Sequence, residues 1–258
     1  MSLAQSKVFY FGYKLDAATE NKYKDEIKVL KKEIDELNIV KFPDHKVTLA
    51  EINCRIGERL LALQDFGLAK KFIEKTKKEL PTYADSLESL YTGILFLKEK
   101  KYEEALEFII NAQMNFIRMK DRTGIGFASF NLALCHLGLE QYDLALDNLF
   151  ISNRSLSTKR KTNILVAIKI NLGNCYYKLN LPSEAENVYV EAIQLAKKIE
   201  NTEQSQAFLF FNLGLVQKQR ENFEKSKKSF STARDIFYKL DHLKGISAVD
   251  TQLKNLEN

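Results

Sequence analysis

A spacing of small and aromatic residues, repeated five times, constrains this chain more than any other feature. In the stretch NLGNCYYKLNLPSEAENVYVEA, counted from Asn171, a small residue stands two positions on (Gly173) and another fourteen on (Ala185). An aromatic follows eighteen on (Tyr189) and a small residue twenty-one on (Ala192). From Asn212 the same ruler reads Gly214, Ser226, Phe230 and Ala233, and from Asn131 it reads Ala133, Ala145, Leu149 and Ser152. Upstream the pattern is weaker: Gly93, Ala105, Ile109 and Ala112 from Tyr91, then Gly57, Ala69, Ile73 and Thr76 from Arg55. The offset-fourteen residues Ala69, Ala105, Ala145, Ala185 and Ser226 lie 36, 40, 40 and 41 residues apart. Such a period belongs to a repeat array in which each unit touches its neighbours, and not to one globular fold.

The array reading makes 258 residues one continuous domain, and 45% apolar content with only 3 Pro and 10 Gly fits an ordered helical chain. A net charge of +5 from 39 basic and 34 acidic residues is a small imbalance that favours solubility more than a nucleic-acid surface. Cys54, Cys135 and Cys175 are odd in number and widely spaced, which argues against a disulfide framework or a zinc site and for a reducing cytoplasm. No apolar run of about 18 residues is present to span a membrane. The N-terminal MSLAQSKVFYFGYKL lacks the parts of a signal peptide, and its abrupt apolar start is what an excised fragment would show.

Along the chain, residues 1–46 read as N-terminal helices forming a degenerate first unit, with Ile27, Leu30, Ile34 and Leu37 as an apolar stripe. Pro43 and Asp44 make a break and a helix N-cap, and residues 47–242 then hold five helix pairs. Their expected ranges are 47–64 with 67–79, 83–99 with 102–120, 122–138 with 141–157, 162–179 with 182–199, and 204–219 with 222–240. Pro81 is expected to stop the second helix, while Pro182 is expected at a helix start, where proline is tolerated. Lys159, Arg160 and Lys161 form the most basic cluster, read as a solvated turn because no aromatic interleaves with them. Residues 243–258, with Ile246, Val249, Leu253 and Leu256 in a stripe, would cap the open end. Small residues recur because two helices approach to about 8–10 Å only where the contact positions are small. Gly173 and Ala185 are expected to face each other.

These strings, together with GILFLKEKKYEEALEFIINA, resemble the tetratricopeptide repeat over about residues 50–240. The 40-residue steps are similar to the longer-repeat members: cell-polarity adaptors, kinesin light chains and Gram-positive peptide-pheromone receptors. The resemblance implies an all-α fold, an α-α superhelix of about five helix pairs whose first helices line a concave face.

No glycine-rich phosphate loop, HExxH or nucleophile elbow is present, so neither enzyme activity nor a cofactor or metal is expected. His45, His136 and His242 are scattered, and Cys135 and Cys175 share one repeat position, which suits small soft core residues. Pheromone-controlled aspartyl-phosphate phosphatases join a similar array to a helical bundle with a catalytic glutamine. Here the sole glutamine before the array is Gln5, which makes that the least supported reading.

Groove positions of the first helices follow from helical spacing around the anchors and from the resemblance. They comprise Phe127, Phe130, Asn131 and Leu134, then Ile170, Asn171, Asn174 and Lys178, then Phe208, Phe211, Asn212 and Leu215. These residues either line a groove or pack against neighbouring helices. Cys54, Leu90, Phe127, Phe130 and Phe208 stand where a carboxylate clamp would need basic residues. The recurring Asn131, Asn171 and Asn212 either bond a neighbouring helix or form an amide ladder for an extended backbone. The expected partner is a peptide or a protein segment, with no nucleic acid or membrane contacted. The chain acts as a scaffold or as the ligand-sensing domain of a bacterial regulator, monomeric or homodimeric. The alternative is a structural self-association array.

Overall fold

The computed structural model of the chain describes residues 17–39, 53, 56, 57, 60, 65–157, 163–199 and 202–257. Every regular element among them is an α-helix. In order these are α1 (Ala17–Ile39), α2 (Phe66–Thr76), α3 (Pro81–Lys98), α4 (Tyr102–Arg118), α5 (Arg122–Gly138) and α6 (Tyr142–Leu156). They continue with α7 (Asn163–Lys178), α8 (Pro182–Ala196), α9 (Glu203–Gln219), α10 (Phe223–Lys239) and α11 (Leu243–Glu257). The helix expected over 47–64 is described only at Asn53, Ile56, Gly57 and Leu60, all helical. Gln5, Pro43, Asp44, His45, Cys54, Arg55 and the cluster Lys159, Arg160 and Lys161 lie outside the described residues.

Contacts divide the described residues into two compact units, one up to Leu139 and one from Glu140 on. In the first, α2 packs on α3, α3 on α4 and α4 on α5. In the second, each helix from α6 to α11 packs on the next, and α9 also reaches α7. First and second helices of the pairs differ in burial because they differ in neighbours. On α7, which touches α6, α8 and α9, Ile164 to Ile168 and Ile170 to Cys175 are all buried, so the helix is enclosed nearly all round. On α8 only Ala185, Tyr189, Ala192, Ile193 and Ala196 are buried, a single stripe with solvent opposite.

The small residue two positions after each anchor admits a large one from the following helix. A Cβ added to Gly173 would meet the Tyr189 ring, one on Gly214 the Phe230 ring at 2.7 Å, and one on Gly57 Ile73 at 2.9 Å. At Gly173 the three atoms nearest an added Cβ all belong to the Tyr189 ring. The offset-fourteen residue packs alongside: Ser226 Oγ donates to the Gly214 carbonyl at 2.8 Å.

The joints obey the same ruler. Lys100, Glu140, Asn180 and Glu221, each nine residues past its anchor, take positive φ of 62°, 59°, 58° and 60°, and Lys120 and Asp241 do so between pairs. This is the left-handed C′ position of a helix stop. Around Asn180, the Leu181 amide donates to the Tyr176 carbonyl at 2.9 Å, and around Glu221 the Asn222 amide donates to Gln217 at 2.8 Å. Both bonds satisfy carbonyls that the helix end leaves over. Pro81 and Pro182 each open a helix, so Pro81 begins α3 as well as following α2.

The N-terminal stripe is formed by buried Ile27 and Leu30 and half-buried Ile34 on α1. On α11, Ile246 and Val249 are buried and Leu253 and Leu256 pack against the same apolar cluster as Phe208, Phe211, Phe230 and Phe237. His242 belongs to this end: its ring stacks on Phe237 at 5.0 Å, and its Nδ1 accepts from the Gly245 amide at 2.9 Å.

Candidate functional site

Four candidate asparagine side chains are buried on the first helices, where Asn53, Ser86, Ser129 and Gln217 are buried too. Asn131, Asn171, Asn174 and Asn212 are 0%, 2%, 9% and 3% exposed. Helical spacing puts Asn171 and Asn174 on neighbouring rows of α7, and Asn212 comes to them from α9.

Two of the amides turn back on their own helix. Asn131 Nδ2 donates to the Phe127 carbonyl and Asn171 Nδ2 to the Ala167 carbonyl, each at 2.9 Å and four residues back. Asn212 behaves differently: its Nδ2 donates to Asn174 Oδ1 at 3.1 Å, crossing from α9 to α7. The same Asn174 oxygen accepts the Tyr189 hydroxyl at 2.6 Å. One carbonyl oxygen therefore ties three helices, α7, α8 and α9. Tyr189 is 1% exposed, and that burial pushes its hydroxyl well above the usual tyrosine range, so it remains a neutral donor. Asn131 Oδ1 and Asn212 Oδ1 are buried and accept no hydrogen bond from a described residue.

The apolar members of the row are mostly core. Phe130, Leu134, Ile170, Phe208 and Phe211 are buried, with Phe211 against Phe230 at 5.6 Å and Phe208 edge-on to Phe237 at 5.3 Å. Phe127 and Leu215 are half-buried, and Lys178 is exposed. Of the candidates, Phe127, Phe130, Asn131 and Leu134 belong to the first unit and the other eight to the second.

Two features were missed at the sequence level. Tyr189 is part of the polar cluster, and a further chain links successive pairs: Ser229 Oγ donates to Gln217 Oε1 at 2.8 Å, Gln217 Nε2 to Glu186 Oε1 at 3.3 Å, and Arg220 pairs with Glu186. The available signal for Tyr189 was a double change. Only in the 171–192 stretch are the residues three and eighteen past the anchor both polar; elsewhere they are Glu58 with Ile73, Ile94 with Ile109, Leu134 with Leu149, and Leu215 with Phe230. Cys135 and Cys175 are buried and their thiols are pushed up to about 12 by burial, so they are core residues without thiolate character.

Among known proteins, the tetratricopeptide repeat family matches residues 166–199, the segment that holds Asn171, Asn174 and Tyr189. No curated protein matches the chain. Solved structures do share the fold. NprR in complex with its cognate peptide NprX aligns at TM-score 0.61 and 15% identity, covering 95% of this chain and 76% of that one. Aspartyl phosphate phosphatase F from Bacillus subtilis aligns at TM-score 0.60 and 16% identity, covering 95% and 72%. YrrB, a tetratricopeptide-repeat protein with an unusual peptide-binding site, aligns at 0.52 and 19%, covering 85% and 96%. Residues 166–199 are a tetratricopeptide repeat, and the chain around them has the all-α fold of a tetratricopeptide-repeat protein.

Proposed function

We propose that this chain is a non-catalytic array that binds an extended peptide, or an extended segment of a partner protein, along its first-helix row. It works as a scaffold or as the ligand-sensing domain of a regulator. The supporting observation is the state of the recurring amides. Asn131 and Asn171 each donate to a carbonyl four residues back on their own helix, while Asn131 and Asn212 keep buried oxygens that accept nothing from a described residue. A buried acceptor without a donor costs about 1–3 kcal/mol, and a peptide N–H is a donor that recurs along an extended strand. In the second unit, half-buried Leu215 and exposed Lys178 make the first contacts, and Lys178 with Lys218 favours an acidic ligand residue. NprR, of the same fold, holds its cognate peptide, which gives the reading a precedent. No described helix is long and apolar enough to cross a membrane. The widely spaced cysteines suit a reducing compartment, and on that ground we place the protein in the cytoplasm.

Panning a randomised library of extended peptides against the chain, followed by fluorescence polarisation on the enriched sequences, tests this. Asn171→Ala is expected to weaken binding by about 1–3 kcal/mol with helicity and melting temperature near the parent's. A library that enriches nothing, or peptides held equally by Asn171→Ala, would overturn the reading.

A further inference from the structure

We infer that the solvent face of α4 is a self-association seam that pairs two copies of this chain antiparallel about a two-fold axis. Ile110, Met114 and Ile117 on that helix are 43%, 48% and 53% exposed. Their spacing of four then three is the seam spacing of paired helices, and Glu103 and Glu107 continue the same row toward the helix start. The equivalent row elsewhere is mixed: Phe150, Arg154 and Ser157 after α6 begins, Val190, Gln194 and Lys197 along α8, Ser231, Asp235 and Tyr238 on α10. The seam is thus a property of this one helix and not of the repeat.

Charge selects the occupant. Exposed Glu103, Glu104 and Glu107 lie at the start of α4, and exposed Arg118 and Lys120 at its end. A parallel partner copy would set carboxylate against carboxylate. An antiparallel copy about a two-fold axis sets Ile110 against Met114 of the second copy, the stem of Glu107 against Ile117, and Glu104, beside the seam, against Arg118 of the second copy, each twice over. Self-complementarity of this kind is what an isologous dimer requires. The opposed helix dipoles add to it. Three half-exposed side chains fall well short of the roughly 800 Å² per partner of a standard interface, and Glu107 sits within the row as a polar interruption. The dimer is therefore weak and populated only at high protein concentration.

Sedimentation velocity on the full chain, from about 5 µM to about 500 µM, reads this directly. The mass is expected to rise from 29.8 kDa toward twice that value. Met114→Lys should hold it monomeric throughout with unchanged circular dichroism; should that variant lose helicity, Ile110→Lys is read in its place. Arg118→Glu should weaken the dimer about tenfold, and adding Glu104→Arg to it should restore the parent's behaviour, which a parallel arrangement would not do. Phe150→Lys, on another exposed face, should change nothing. A parent that stays monomeric at the highest concentration, a dimer indifferent to both Met114→Lys and Ile110→Lys, or one lost in Phe150→Lys would overturn the inference.

Discussion

The helix pairs α7 with α8 and α9 with α10 share one backbone plan and differ at its centre. In both, a glycine two past the anchor makes room for an aromatic ring: Gly173 for Tyr189, Gly214 for Phe230. In α9 with α10 the residue three past the anchor is Leu215, and Phe230 meets Phe211 at 5.6 Å in an apolar cluster. In α7 with α8 that residue is Asn174, and it takes the Tyr189 hydroxyl at 2.6 Å. The small residue fixes how close the helices come, whereas the chemistry between them is open to change provided both partners change together. A lone tyrosine against leucine would bury an unpaired hydroxyl, and a lone asparagine against phenylalanine an unpaired amide. The polar version also reaches further, because Asn212 donates to the same oxygen and so ties the next pair to this one.

The largest expected effect lies in what the two pairs share. Gly173→Ala drives a methyl into the fully enclosed Tyr189 ring, and urea unfolding should show a loss near 3 kcal/mol; a loss below about 0.5 kcal/mol would mean the ring can yield. Next comes what they do not share. Asn174→Leu, the residue of the neighbouring pairs, should cost about 1–3 kcal/mol by stranding both the Tyr189 hydroxyl and the Asn212 amide, and adding Tyr189→Phe should recover only the hydroxyl's share, a coupling that a double-mutant cycle measures.

Cys135 and Cys175 occupy one register in the two units and extend the comparison to pH. Burial raises both thiols from 9.0 to about 12, so the folded state keeps a proton that the unfolded chain releases. Their contribution is complete below pH 9.0 and is lost as pH rises toward 12. Urea midpoints under reducing conditions should fall above pH 9.0 by about 1.4 kcal/mol per pH unit for each thiol, and Cys175→Ala should remove one of the two shares. The smallest effect is a gain: Glu221→Gly relieves a left-handed non-glycine residue and should stabilise by up to about 1 kcal/mol, with Asn180→Gly gaining less because asparagine tolerates that conformation.

Much of the fold could be read in advance because its signals are local. Short polar joints and a proline at a helix start placed α7 and α8 within a residue or two at their starts, and the recurring small positions announced the close helix contacts. The neighbours of a first helix are not local. Nothing in the run ILVAIKINLGNC tells that α7 is enclosed by three helices, so Phe208, Phe211 and Ile170, which suited a groove wall, sit in the core. The direction of each amide was equally hidden. Asn171 and Asn212 hold the same register, yet one donates to its own turn and the other to Asn174 of a different helix. The Asn174 and Tyr189 pair was passed over for a simpler reason: a ruler fitted to five copies averages away what one copy does alone.

The left-handed residues at the joints carry one more consequence. Since each first helix from α3 to α9 closes nine residues after its anchor, the chain keeps a common phase from pair to pair. Doubling residues 171–211 would add a whole unit that enters in step with its neighbours. A single residue inserted within α7 would instead turn everything after it by about 100°, carrying Gly173 off the Tyr189 ring and exposing buried side chains. Growth and shortening of such an array are therefore quantised, with whole units as the only lengths that keep every glycine opposite its ring.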